Sequence, residues 1–269
     1  MNYTEITYEM LGPVVRVCHN RPKQANAESE TLLAELDDAL ERAKRDDNVR
    51  VLILGGVGKH FSAGHDLTDP RSTRAQLTAA EQIWQWESEH YMGNALRIWD
   101  FPKPTIAQVQ GACIAGGFMV ANMCDLMVAS DDAYFSDPVN HSLGAAAVEV
   151  LVHPWVLGLR KAKELLYTGQ RITAAEAREW GMVNHVVPRG ELEDFTLKLA
   201  NQIAAAPPMS MRMLKRSLNR TADMMGFRNS IMAHFDTHQL SHASEEHKAI
   251  VGAGMQASMT AAKKTQNAA

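Results

Sequence analysis

The first fifty-odd residues alternate apolar segments with an amphipathic one. Residues 13–20 (PVVRVCHN) are typical of a β-strand, and residues 28–48 repeat apolar side chains at helical spacing. Residues 49–56 (VRVLILGG) form a continuous apolar run that ends in glycine. This order predicts a strand, a helix and a buried strand.

A second unit of the same kind follows. Residues 79–101 have helical periodicity, the PKP of residues 102–104 ends that helix, and residues 105–111 (TIAQVQG) are typical of a strand. A short buried helix over 114–124 and a strand over 125–130 complete the unit. Long helical segments between apolar strands favour crossover connections, so we predict a largely parallel sheet in an α/β fold.

From about His153 the pattern is mainly helical, and only residues 183–187 (VNHVV) still resemble a strand. We therefore predict an α/β core over residues 1–200 and a helical C-terminal subdomain over residues 201–269. Methionines supply adaptable apolar surface suited to packing on another subunit. In the last third these are Met209, Met211, Met213, Met224 and Met225.

Composition narrows the class of protein. Of 269 residues, 46% are hydrophobic, which is ample for a core, and the formal charge of −4 gives no reason to expect a nucleic-acid partner. Three cysteines without CxxC spacing indicate neither a disulfide framework nor a zinc site. The N-terminus lacks the features of a signal peptide and no apolar run reaches membrane-spanning length, so we expect a cytoplasmic protein without a membrane partner.

Histidines recur on one predicted helical face, at His234, His238 and His242. A metal site needs further ligands, and the neighbouring sequence shows no Asp or Cys at a typical spacing. We therefore interpret this face as a polar or interface surface and predict no metal site.

Two glycine-containing turns follow buried strands, namely GKHFSAGHDL at 58–67 and GACIAGGFMV at 111–120. The carboxyl ends of buried strands are where α/β sheets place ligands. Two such turns can present two converging backbone N–H groups to one ligand atom.

Four segments in order resemble the crotonase superfamily, also called the enoyl-CoA hydratase/isomerase family. These are RPKQANA (21–27), FSAGHDL (61–67), residues 111–130 and residues 165–188. The resemblance covers nearly the whole chain. It implies a crotonase fold, a spiral of repeated ββα units with a helical C-terminal trimerisation region. It also implies a homotrimer or dimer of trimers that acts on an acyl-CoA, with no separate cofactor because coenzyme A is part of the substrate.

The resemblance further implies an oxyanion hole formed by the backbone N–H groups of His65 and Gly116, which would stabilise a thioester enolate. Whether the His65 ring takes part in catalysis or lines the pocket stays open. The family's coenzyme A contacts fall on a second set of positions. These are Lys23, Ala25, Ala63, Asp66 and Leu67. Lys23 is alternatively a solvated loop charge, and Asp66 alternatively braces its loop.

The chain departs from the family at the two glutamates that typical hydratases use. Met119 and Val139 occupy those positions, and neither side chain can transfer a proton. Asp137 and Glu149 are the replacements that we predict. Asp137 could equally cap the following turn. Glu149 lies in an otherwise apolar run, where its alternative role is a buried salt bridge.

Further titratable side chains near these positions are weaker candidates, namely His141, Glu87, Glu89 and His90. We predict an enzyme of the enoyl-CoA hydratase/isomerase type, a lyase or isomerase, in which Asp137 or Glu149 transfers protons. A hydrolase or C–C bond-cleaving member of the same superfamily is the first alternative. A protein that binds a coenzyme A ligand without catalysis is the second.

Overall fold

The structure is a computed structural model that describes residues 2–69 and 72–253. Its strands are β1 (Ile6–Leu11), β2 (Val14–His19), β3 (Val51–Gly56), β4 (Thr105–Val109), β5 (Ala112–Ile114), β6 (Leu126–Ser130), β7 (Tyr134–Ser136), β8 (Ile172–Thr173) and β9 (His185–Val187). The helices of the first half are α1 (Glu30–Arg45), α2 (Thr73–Gln76), α3 (Ala80–Glu87), α4 (Gly93–Trp99) and α5 (Gly116–Asn122). Those of the second half are α6 (Val139–Leu143), α7 (His153–Leu157), α8 (Leu159–Thr168), α9 (Ala174–Glu179), α10 (Leu192–Ala204), α11 (Pro208–Met224), α12 (Phe227–Ser241) and α13 (Glu245–Gly252).

The larger sheet has the strand order β1-β2-β3-β4-β6-β9 within the described residues. Only the β1–β2 pair is antiparallel, so the predicted parallel arrangement is confirmed. Five of these strands, β2, β3, β4, β6 and β9, coincide with the predicted ones to within two residues. The sequence missed β1, in which only Ile6 is buried and the other residues are half-buried or exposed. The two-residue strand β8 contradicts the expectation of a single strand after His153.

Both faces of the larger sheet are buried, as its continuous apolar strands require. On one face, Val51, Ile53 and Ile106 pack with Leu192 and other residues of α10. The opposite face contributes to a larger core that contains side chains of α1, α4 and α5. The predicted domain boundary at residue 200 falls inside α10, and since α10 packs on the sheet, this helix belongs to the core.

A second layer is formed by β5, β7 and β8, with β5 parallel to β7. Isolated bridges join Ser62 to Cys113 and Glu28 to His65, so the chain after β3 and the chain before α1 continue this layer. The arrangement places Glu28 and His65 beside β5, and β5 leads directly into α5. Segments distant in sequence thus converge at the start of α5.

The helix predicted over residues 79–101 is interrupted. A π-helical turn over Ser88–Met92 separates α3 from α4. Such insertions rotate the following residues around the helix axis and are frequent at functional sites. No helix among residues 2–69 and 72–253 has the length and apolar character needed to cross a membrane.

The buried carboxylate of Glu35 on α1 fixes the start of β1. Its Oε1 accepts hydrogen bonds from the amide and hydroxyl of Thr4, both at 2.8 Å. Its Oε2 accepts from the amides of Glu5 at 2.8 Å and Ile6 at 3.1 Å. Burial acts to raise the pKa of Glu35, but these hydrogen bonds to the ionised form outweigh it and lower the pKa.

We expect Glu35→Gln to lower the free energy of unfolding by about 1–3 kcal/mol, because an amide cannot accept all four bonds. Since folding lowers this pKa, the stabilisation is present above the unfolded value of about 4.3 and is lost as the pH falls through the folded value. Urea unfolding at neutral and acid pH measures both effects. Glu41→Gln, at an exposed pair with Lys44, is the control and should change stability by less than about 0.5 kcal/mol. If the free energies of unfolding of Glu35→Gln and wild type differ as much in acid as at neutral pH, the ionised Glu35 carboxylate is not the source of the stabilisation.

Candidate active site

The two glycine turns lie against each other. Ala115 has φ 50° and ψ −115°, an uncommon conformation for a residue with a side chain, and Gly116 begins α5. A Cβ atom added at Gly64 would lie 3.0 Å from the Gly116 nitrogen, so only glycine allows this approach. Within the described residues, neither the His65 amide nor the Gly116 amide donates to a protein acceptor. Two backbone donors are therefore free on adjoining loops.

The His65 side chain lies between two buried carboxylates. Its Nε2 is hydrogen-bonded to Oε2 of Glu149 at 3.1 Å, and its Nδ1 lies 3.1 Å from Oε2 of Glu28. The imidazole also stacks on the Tyr91 ring, with centroids 3.6 Å apart and planes 7° from parallel. The hydroxyl of Ser62 donates to the other oxygen of Glu28 at 3.1 Å. The arrangement fixes both the position and the orientation of the imidazole.

At neutral pH the His65 imidazole and its carboxylate neighbours form an ion pair. Burial acts to lower the pKa of His65, but the charges of Glu149 and Glu28 and their hydrogen bonding raise it to about 10. Burial likewise acts to raise the pKa of Glu149, but the His65 charge lowers it well below its ordinary value. The imidazole is therefore protonated, and Glu149 is in the form that can accept a proton.

A second set of charges adjoins the first. His238 on α12 has its Nε2 3.7 Å from Oε1 of Glu149 and 3.6 Å from Oε2 of Glu87. The Arg74 guanidinium donates to Oε1 of Glu87, and the side-chain amide of Gln239 donates to Oε2 of Glu87. The structure thus buries His238, which the sequence analysis had assigned to a polar or interface face. Glu87, His238 and His242 are residues that could hold a metal ion, since one potential ligand atom from each lies within 4.8 Å of the others.

Asp137 has a different environment. It is fully buried, and its carboxylate accepts hydrogen bonds from the amides of Val139 at 3.2 Å and Val148 at 3.1 Å. His153 Nε2 lies 3.3 Å from the same group. These contacts tie the start of α6 to the segment that carries Glu149. Both carboxylate oxygens of Asp137 therefore brace the loop, as the turn-capping alternative proposed. His141 is exposed and its Nε2 lies 2.9 Å from the Tyr167 carbonyl.

The residues predicted to contact coenzyme A lie on the loops before α1 and after β3. Lys23 is exposed, and Ala25 follows it with a positive φ of 51°. The Ala63 amide donates to the Ala25 carbonyl at 3.0 Å, which joins the two loops. Asp66 forms an ion pair with Arg21 at 2.8 Å, so it braces its loop. Leu67 is half-buried beside it, and contact between these residues and coenzyme A stays a prediction.

Sequence reasoning missed several members of the cluster. Glu28, which is buried, directly follows the RPKQANA segment. Neither Glu28 nor Arg74 belongs to a periodic pattern or a motif spacing that would have indicated it. Glu149 was found because a carboxylate inside an apolar run needs a reason to be there. Met119 and Val139 are both buried and apolar in the structure, so the positions of the usual glutamates supply no proton carrier.

Solved structures share this fold. One described as an enoyl-CoA hydratase/isomerase from Xanthobacter autotrophicus Py2 aligns with a TM-score of 0.90 at 32% identity, over 99% of this chain and 98% of its own. Another, described as a probable enoyl-CoA hydratase from Mycobacterium smegmatis, aligns with a TM-score of 0.83 at 47% identity, over 88% of this chain and 94% of its own. The protein therefore has the crotonase fold, with a helical C-terminal region.

Sequence comparison agrees with the fold. The family model described as enoyl-CoA hydratase/isomerase matches residues 10–264. A relative from Mycobacterium tuberculosis named as an enoyl-CoA hydratase, EchA13, is 41% identical over 256 residues, which are 88% of this chain and 80% of that protein. The chain belongs to the enoyl-CoA hydratase/isomerase family, and it is an enzyme of that superfamily.

We expect His65→Gln to lower the free energy of unfolding by about 3–5 kcal/mol, because it leaves Glu28 and Glu149 buried without their shared cation. Urea unfolding followed by circular dichroism measures the change. Arg16→Gln is the control, since Arg16 pairs with the more exposed Glu9 and Glu193, and its loss should cost less than about 1 kcal/mol. Equal stability of His65→Gln and wild type contradicts the buried ion pair.

Proposed function

We propose that the protein catalyses enolate chemistry on an acyl-CoA thioester. In this proposal the amides of His65 and Gly116 bind the thioester oxygen, and Glu149 transfers the proton. The observation that carries the proposal is the position of the ion pair directly beside the free amides. A Cβ atom added at Gly116 would lie 2.7 Å from the His65 ring and 2.7 Å from Glu28.

The amides would supply the electrostatic part of catalysis. When a proton leaves the α-carbon of a thioester, negative charge develops on the carbonyl oxygen, and fixed N–H donors stabilise it more than they stabilise the neutral carbonyl. Removal of one such donor costs about 3–4 kcal/mol in known oxyanion holes. Because both donors are backbone groups, this function survives changes of side chain on the same loops.

Glu149 would supply the proton transfer. Its carboxylate is ionised, Oε2 is held by His65, and Oε1 lies 3.7 Å from Nε2 of His238. A carboxylate whose pKa is lowered is a weak base, so the two amides must make the α-proton more acidic by stabilising the enolate. Asp137 supports this role less well, because backbone amides already occupy both of its oxygens.

The direct test is exchange of the α-protons of saturated and β,γ-unsaturated acyl-CoAs in D₂O, followed by mass spectrometry. We expect wild type to exchange the α-proton and Glu149→Gln to slow exchange by about 10²–10⁴-fold, the usual contribution of a general base. Asp137→Asn is the matched control, since it should lower the melting temperature but keep exchange within about threefold of wild type, well below a general-base effect. Equal exchange by Glu149→Gln and wild type would falsify the assignment of the base.

A product panel identifies the reaction itself. Enoyl, β-keto and saturated acyl-CoAs are incubated with the enzyme, and mass spectrometry distinguishes water addition, double-bond shift, free acid and chain cleavage. An acyl-CoA bound without exchange or turnover contradicts the proposal and favours the non-catalytic alternative. The oxyanion hole is tested separately with CoA thioethers, which lack the carbonyl oxygen and should bind more weakly than matched thioesters.

A further inference from the structure

The space between Glu87, His238 and His242 is lined by nitrogen atoms that lack partners. His238 is only 2% exposed, and its Nε2 has no hydrogen-bond partner among the described residues. Nδ1 of His242 is also buried and has no hydrogen-bond partner among the described residues. Buried polar atoms are seldom left unpaired, so these two nitrogens need an explanation.

The distances around His238 suit a bound ion better than a hydrogen bond. Nε2 of His238 lies 3.6 Å from Oε2 of Glu87 and 3.7 Å from Oε1 of Glu149, beyond the range of a good N–H···O bond. Two ligands that share a tetrahedral metal ion at about 2.1 Å lie about 3.4 Å apart. The observed separations are close to that value.

The orientation of His238 is set from its other nitrogen. Nδ1 lies 2.9 Å from the Ala147 carbonyl, and because a carbonyl only accepts, Nδ1 carries the proton. In the neutral ring, Nε2 then presents its lone pair to the space beside Glu87. Metal-binding histidines are typically fixed by such a bond from their second nitrogen. Arg74 and Gln239 likewise fix the Glu87 carboxylate and leave a lone pair of Oε2 facing His238.

The local charge also requires a further cation. Three buried carboxylates, Glu28, Glu87 and Glu149, lie around this cluster, and among the described residues the cations that contact them besides His238 are His65 and Arg74. An unpaired buried carboxylate is costly. A proton on His238 or a metal ion could supply the third positive charge, and the two choices differ in what the protein binds.

We propose that Glu87, His238 and His242 bind one divalent transition-metal ion of the Zn²⁺ and Co²⁺ class, with Glu149 at the edge of the site. Two histidines four residues apart, one in the last turn of α12 and one at its C-cap, form with a carboxylate from another element a ligand set suited to these ions. The carboxylate of α12 itself, Asp236, accepts a hydrogen bond from Trp84 instead, so the carboxylate of the site is Glu87. It comes from the end of α3, more than 150 residues earlier in the chain.

The test is titration of chelator-treated, full-length protein with Co²⁺, followed by visible absorption, and with Zn²⁺, followed by calorimetry. We expect wild type to bind one equivalent of either ion, with Co²⁺ bands of a low-symmetry nitrogen and oxygen site. His242→Asn, at a half-buried position, and His238→Gln should each weaken binding at least tenfold. Zn²⁺ should raise the melting temperature of wild type and not of these variants.

His234→Gln is the matched control. His234 lies one turn before His238 on α12, and its Nε2 lies 2.9 Å from the Val148 carbonyl. The His234→Gln variant should bind one equivalent of Co²⁺ or Zn²⁺ with wild-type affinity. Absence of a stoichiometric site in wild type, or equal weakening by His234→Gln, overturns the proposal and assigns the third positive charge to a proton on His238. Because the readout is metal binding, the result is independent of whether Glu149 acts on acyl-CoA.

Discussion

The shared pairing of His65 with Glu28 and Glu149 is the interaction on which the geometry of the site depends. Each carboxylate is almost fully buried, and burial without a partner would cost several kcal/mol. The imidazolium compensates both, so it ties together the segment before α1, the loop after β3 and the segment after α6. None of these segments can shift alone without leaving a buried charge unpaired.

Glycine makes this pairing compatible with the turn at Ala115 and Gly116. The His65 and Glu28 side chains occupy the volume that a Cβ atom of Gly116 would need, and Gly64 approaches the same turn from the other loop. Side-chain charge and backbone amides are therefore in direct contact. Because Ala115 has a positive φ at this point, the turn is conformationally costly and depends on its surroundings to persist. The ion pair is one of those surroundings.

The sequence predicted the parts of the fold that have strong local signals. Strands β2, β3, β4 and β6 have five or six mostly apolar residues each, whereas β5, β7 and β8 have only two or three residues each and carry too little pattern. The sequence predicted one helix over residues 79–101 and did not indicate the π-helical turn before α4. In the site, Glu149 was predicted because its neighbours are apolar. Glu28, Arg74 and the contact of Glu87 with His238 were missed, because only tertiary packing brings those segments together.

In the proposed function, the cluster supplies the acid–base group that the chain lacks at Met119 and Val139. The amides of His65 and Gly116 are backbone groups, so they are present whatever side chains stand at positions 119 and 139. In the same proposal the proton carrier is Glu149, which comes from the segment after α6 and is held there by His65. His65 links the two groups, since its amide lies on the loop after β3 and its ring is hydrogen-bonded to Glu149. A change of reaction within this fold therefore requires new side chains around a fixed backbone, rather than a new backbone.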